Sequence, residues 1–168
     1  AVANKEAKTD KIKDLQMSMS ELDKLLMKFD IVYSSLAFHY VPDFQKLAND
    51  IYNLLNTGGY LLFSQEHPIV TATFDGKQHY NKDENGNYTS FTFSNYNQPG
   101  ERDTFWYVDG VKKYHRTFSN IISALCLAGF VIDTVCEPLP IENAANFIPN
   151  ILKKELIKPT FLIIKARK

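Results

Sequence analysis

Residues 29–68, FDIVYSSLAFHYVPDFQKLANDIYNLLNTGGYLLFSQEHP, restrict the fold more than any other stretch of the chain. Phe29 to Ser35 is a near-continuous apolar run and predicts a strand buried on both faces, as in a parallel sheet. Pro42-Asp43 then opens a helix in which Phe44, Leu47, Ile51, Leu54 and Leu55 recur at helical spacing. Asn56-Thr57-Gly58-Gly59 stops it, with glycine supplying the left-handed cap. Tyr60 to Gln65 is the next strand. Strand, helix, Gly-Gly and strand make a βαβ crossover, right-handed, with its two strands side by side or nearly so.

The same rhythm extends in both directions. AVANKEAK at residues 1–8 reads as the end of a helix, broken by Thr9-Asp10, and suggests a chain cut from something longer. Ile12 to Met19 is a short candidate strand. Near the other end, Ile121, Ile122, Leu125 and Leu127 build a helix capped by Gly129, and Phe130 to Cys136 is a strand. EPLPIENAANFIP is a loop, and Phe161 to Ala166 is a last strand. Residues 69–113 interrupt this order. Asp75-Gly76, Asn85-Gly86 and Asp109-Gly110 are hairpin turn signals, with alternating stretches such as YTSFTFSNY between them. Ten of the 22 aromatic residues fall between Phe74 and Tyr114, so the segment reads as a small, aromatic, antiparallel insertion. One domain spans 1–168, with 69–113 as a lid-like insertion within it.

Composition narrows the functions. The chain has 168 residues with 19 basic and 19 acidic side chains. That balance argues against nucleic acid or an anionic membrane as the main partner, since both demand a basic excess. Two cysteines, Cys126 and Cys136, exclude a disulfide scaffold and a cysteine-rich zinc site. No apolar run reaches the ~18 residues of a membrane span, and the charged N-terminal stretch does not read as a secretory leader. A reducing, cytoplasmic setting is expected.

The run from Phe29 to Pro68 resembles the second half of class I S-adenosylmethionine-dependent methyltransferases. LLNTGGYLLFS matches the family's leucine–polar–Pro-Gly-Gly–strand pattern, with Thr57 in place of the proline. KKYHRTFSNIISALCLAGFVIDTVCEP is similar to the family's last helix–strand region. The resemblance covers roughly 10–68 and 112–167 and implies an incomplete Rossmann-like sheet. The family's strand order is 3-2-1-4-5-7-6, and Phe29–Ser35 takes the place of its fourth strand. The glycine-rich loop after the family's first strand and the acidic end of its second are absent here, since the first glycine is Gly58. About 60–80 residues, two strand–helix units at ~30 residues or more each, would precede this chain. Phe29–Ser35 would then have an unpaired apolar edge, which wants a partner such as a second copy of the chain.

What the resemblance implies for the site follows strand by strand. Ser18 and Met19 occupy the adenine-binding turn, with Ser18 in place of the usual aspartate. Ser34, Ser35 and Leu36 follow the fourth strand, at the carboxyl edge where open α/β sheets bind ligands. Their position implies contact with the methionine end of S-adenosylmethionine. His39 and Tyr40, four and five residues beyond that strand, are expected to face the methyl acceptor. Glu66 and His67 end the next strand, and as a carboxylate–imidazole pair they would be poised for proton transfer. Tyr114, His115 and Arg116 close the insertion. His115 is a second candidate base and Tyr114 a further catalytic candidate, while Arg116 would hold an anionic group or Glu66. Trp106 belongs with the aromatic walls expected on the substrate side. The spacing of His39, His67 and His115 fits no compact metal motif, and no metal site is expected. The function implied is methyl transfer to a small molecule, with no membrane or nucleic-acid partner. The alternatives are an inactive interaction module of the same fold and a Rossmann-fold nucleotide oxidoreductase.

Overall fold

The computed structural model describes residues 11–106 and 108–168, with the side chains of 105–109 and 142 outside the description. Residues 1–8, read above as the end of a helix, also lie outside it. A four-stranded sheet in the order β1-β2-β8-β7 carries the fold. β1 is Phe29–Ser35, β2 Leu55–Glu66, β7 Val131–Cys136 and β8 Phe161–Arg167. β1 and β2 are parallel, and β8 runs antiparallel to both of its neighbours. This is the family order expected from the fourth strand onward.

Helix α1, Phe44–Leu54, joins β1 to β2, and α3, Phe118–Ala128, precedes β7. Asp43 caps α1 by accepting from the Lys46 amide at 2.9 Å, and Thr117 caps α3 through a reciprocal box with Asn120. Both helices lie on one face of the sheet. There Leu47 and Ile51 of α1 and Ile121 and Leu125 of α3 close over Leu61, Phe63, Leu162 and Ile164, all at most 2% exposed.

Several expectations are corrected. β1 is not buried on both faces: Ile31 and Tyr33 are 63% and 68% exposed, because α1 and α3 cover only the other face. Residues 12–18 form no strand. Met19–Lys24 is a 3-10 turn packed on α1, and among the described residues no strand lies beside the outer edge of β1 for 12–18 to follow. Gly58-Gly59 does not cap α1, which ends at Leu54. It sits in a bulge of β2 between the pairs Phe29–Leu55 and Ile31–Tyr60. Gly58 has φ +77°, and a Cβ on Gly59 would stand 2.9 Å from the carbonyl oxygen of Asp30.

The insertion holds a short helical turn α2, Pro68–Thr71, and two separate ribbons: β3 (His79–Lys82) with β4 (Tyr88–Thr92), and β5 (Gly100–Trp106) with β6 (Val108–His115). Asn85-Gly86 turns the first ribbon as expected. Asp109-Gly110 does not turn the second. Trp106 stands opposite Val108, so Asp109-Gly110 lies inside β6, where Gly110 at φ +76° serves a register shift. A left-handed glycine suits a bulge as well as a turn. The 137–149 segment contains a 3-10 turn, Glu142–Asn146, and is followed by α4, Pro149–Glu155.

Candidate active site

Parallel β1 and β2 end side by side, with Ser35 opposite Ser64. Leu36 takes a left-handed turn, φ 51°, and its amide donates to the Ser64 carbonyl at 2.9 Å. A β1 residue that continued straight would leave the sheet. This reversal instead sends the chain back over the strand ends into the 3-10 turn Phe38–Tyr40. Phe38 anchors that turn against Phe63, ring centroids 4.9 Å apart. His39 is then held over the end of β2, where its Nδ1 accepts from the Glu66 amide at 3.3 Å. The ring proton therefore sits on Nε2. Burial pushes the His39 pKa down to about 4, with Glu66 opposing and Lys113 and Arg116 reinforcing the shift.

A cavity of about 450 Å³ opens at this edge, lined by Ser35, Leu36, His39, Tyr40, Glu66, Val70, Gln78, Lys113, Thr160 and Phe161. Glu66, Val70, Gln78 and Lys113 also line a second chamber of about 270 Å³, whose far wall includes Arg102 and Thr104. Lys113 Nζ donates to Glu66 Oε1 at 2.6 Å. The other carboxylate oxygen, Oε2, is buried and has no hydrogen-bond partner among the described residues, and neither has Oε1 of Gln65. An unpaired buried carboxylate oxygen is costly unless a bound group satisfies it.

Five of the residues singled out by sequence meet here: Ser35, Leu36, His39, Tyr40 and Glu66. Ser34 lies one residue earlier, half-buried in β1 opposite Phe63. The others are engaged elsewhere. Glu66 and His67 do not pair with each other. Neighbouring residues of an extended strand point to opposite sides, so Glu66 meets Lys113 and His67 meets Glu137. His67 caps α2 by accepting from the Ile69 amide at Nδ1, 3.2 Å, and holds Glu137 through Nε2 at 2.9 Å. His115 is 1% exposed and bridges the Thr71 hydroxyl and the Tyr96 carbonyl, at 2.9 and 2.8 Å. Burial lowers the pKa of both imidazoles.

Tyr114 lies on the outer face of β6, its hydroxyl donating to Glu101 at 3.3 Å. Arg116 donates to the carbonyls of Val41, Pro42 and Tyr114, and lines a separate open groove with Pro42, Phe44 and Pro99. It ties the start of α1 to the end of the insertion and does not reach Glu66. Ser18 caps the Met19–Lys24 turn, and Met19 packs on the core. The side chain of Trp106 lies outside the described residues.

Sequence reading missed Lys113, Gln78 and Arg102. Lys113 carried a legible signal: it stands two residues before His115 in a strand, hence on the same face. Arg102 follows once β5 is paired with β6, because the two are register partners. Among the described residues, no cluster of His, Cys, Asp and Glu is arranged to hold a metal ion, and no helix is long and apolar enough to cross a membrane.

Residues 1–63 match the family model described as a methyltransferase domain. The chain is 37% identical to an S-adenosylmethionine-dependent methyltransferase from Mesorhizobium loti, whose crystal structure superposes with a TM-score of 0.76 over 88% of this chain and 67% of that one. A structure from Listeria monocytogenes assigned to the same class superposes with a TM-score of 0.83 at 29% identity, over 99% of this chain and 73% of that one. An uncharacterized protein of Haemophilus influenzae is 35% identical over 140 residues, 83% of this chain. The chain spans 54% of the length of that curated relative.

Proposed function

We propose, from the premise that this chain belongs to the S-adenosylmethionine-dependent methyltransferases, that its strand-end cavity is where a small-molecule acceptor is methylated. The family's cofactor is S-adenosylmethionine. The residues present suit one end of that cofactor. Ser35 is small, Leu36 turns the backbone over the strand ends, and His39 and Tyr40 wall the cavity beside them. No glycine precedes Gly58, so the described residues ahead of β1 hold no glycine-rich loop. Bound at the strand ends, the cofactor supplies an electrophilic methyl group on a sulfonium.

The protein's share is placement and exclusion of water. The observation that carries the reading is the buried Glu66 Oε2 at the carboxyl end of β2, which has no hydrogen-bond partner among the described residues. It is an acceptor for the N–H or O–H of the attacking group, and can take the proton as the methyl arrives. Lys113 fixes the carboxylate's orientation through Oε1, and the His39 Nδ1 contact fixes the backbone beneath it. Gln78 and Lys113 come from the insertion, which supports its reading as a lid. Cys126 and Cys136 are free thiols, which suits a reducing cytoplasm. The exposed edge of β1 suits pairing with a further strand, including one from a second copy.

The test is transfer of labelled methyl from S-adenosylmethionine into a panel of small acceptors, using a form of the protein that includes any sequence preceding Ala1. Glu66→Gln is expected to lower turnover at least tenfold with little change in cofactor affinity. An equal loss of both would refute the assignment of Glu66 to the acceptor. The 168-residue chain by itself is expected to bind the cofactor weakly, and calorimetry giving micromolar affinity would show that another loop does the work of the glycine-rich one.

A further inference from the structure

Register pairs Arg102 of β5 directly with Lys113 of β6. Side chains of such a pair leave the same face about 5 Å apart at Cβ, and like charges placed there repel. Both are buried, Arg102 at 2% exposure and Lys113 at 9%. The outer face of the same ribbon has the ordinary arrangement, since Lys112 bridges Glu101 and Asp103 at 2.8 Å each. The inner face does not. Lys113 has Glu66. Among the described residues Arg102 donates to backbone carbonyls, those of Ala72, Gln98, Gly100 and Glu101, at 2.7–3.4 Å, and its guanidinium lies 4.1 Å from the centre of the Phe74 ring, an attraction that brings no counter-charge.

Carbonyl oxygens hydrogen-bond a guanidinium but do not neutralise it, and a buried charge without a counter-charge is expensive. Among the described residues, four of the five Arg102 N–H groups are used in this way, leaving one on Nη2. Lys113 uses one of its three donors. Arg102, Lys113 and Glu66 share the walls of the 270 Å³ chamber, which thus hold two cations and one anion. Lys158 and Glu155, one of each sign, lie beyond Thr160 and cancel.

From this count the geometry points to a methyl acceptor that carries one carboxylate, seated against Arg102 and Lys113 with its nucleophilic end toward Glu66 Oε2 and the strand ends. This rests on the methyl-transfer reading above and names the acceptor's class. A carboxylate accepts from both cations in charge-assisted bonds and brings the chamber's charge to zero. A phosphate monoester, at about −1.5 to −2, overshoots. An uncharged acceptor leaves the excess cation uncompensated, and a cationic one adds to it.

The probes are benzoate and benzamide, alike in shape and different in charge, titrated into the form of the protein that includes any sequence preceding Ala1 and followed by NMR of the Arg102 Nε–H and the backbone amides. Benzoate is expected to bind at least tenfold more tightly than benzamide and to shift the Arg102 Nε–H. Lys113→Gln is expected to erase the preference for benzoate. Equal binding of the two probes, or benzoate binding that leaves Arg102 unmoved, overturns the proposal. Should Lys113→Gln fail to fold, the two titrations of the native chain decide alone. A parallel titration with millimolar S-adenosylhomocysteine separates the two readings. Shifts at Ser35 and Leu36 without a benzoate preference refute only the carboxylate, and no shifts at Ser35 and Leu36 refute the cofactor site itself.

Discussion

The three buried histidines are built to be neutral. An imidazole whose folded pKa lies below its unfolded value binds fewer protons when folded, so stability falls as pH drops from the unfolded value to the folded one. For His39 that window runs from about 6.5 to about 4, worth about 3 kcal/mol at its lower end, and His67 and His115 act in the same direction. The melting temperature is expected to fall steeply between pH 6.5 and 4.5 and His39→Gln to flatten that slope, as calorimetry across pH will show. The Glu66–Lys113 contact is the second residue-scale device. Removing one partner strands a largely buried charge, which costs about 3 kcal/mol. Lys113→Met should therefore destabilise more than Lys113→Met with Glu66→Leu, a double-mutant cycle that chemical denaturation can close. Glu66 itself was legible in the sequence because its place at the end of β2 puts it on the wall of the strand-end cavity. The face of its partner Lys113 could be read from the strand alternation with His115, but their contact could not, since an ion pair across 47 residues is decided by how the insertion folds back and not by local pattern.

Elements were legible wherever one period ran uninterrupted. Helix α1 follows from Phe44, Leu47 and Ile51, and α3 ends at Gly129, whose φ of +105° is the left-handed cap expected there. A Cβ at that position would also stand 2.8 Å from the Tyr52 ring. Gly129→Ala is expected to cost about 1–3 kcal/mol, measurable as a lowered denaturation midpoint with an unchanged slope. Two other glycines misled, because a positive φ marks turns, caps and bulges alike. Gly58 and Gly110 serve bulges, and only pairing across strands distinguishes the cases. The β3–β4 ribbon is held by stacked charge and ring: Lys158 lies 5.5 Å from the Tyr80 ring centre and 5.1 Å from that of Phe91, and Lys154 lies 5.0 Å from that of Tyr88. Such contacts are worth about 0.5–2 kcal/mol each. Tyr80→Ala should free the ribbon, and limited proteolysis should then cut near Asn85-Gly86 faster than in the native chain.

At the scale of the molecule, one face of the sheet and the outer edge of β1 are exposed among the described residues, with Ile31 and Tyr33 prominent. An apolar edge strand is a template for another strand, so the 168-residue chain is expected to self-associate in light scattering and Tyr33→Lys to shift it toward monomer. A native chain that scatters as a cooperatively folding monomer would remove the case for pairing on that edge. The strand order itself has a consequence in time. β2 lies between β1 and β8, and Lys168, just beyond β8, stitches the sheet's far end: the Lys168 amide donates to the Gly59 carbonyl, its carbonyl accepts from the Gly58 amide, and its ammonium donates to the carbonyls of Tyr52 and Leu55. β2 is complete about a hundred residues before the strand that covers its second edge. During synthesis it must wait, half-paired, while the insertion, α3 and β7 are made. Closure of so long a loop is slow, and an exposed strand edge in the interval is vulnerable to aggregation. A nascent chain arrested before Phe161 should therefore be protease-sensitive throughout β2 and bound by chaperones, and synthesis past Lys168 should protect it in one step.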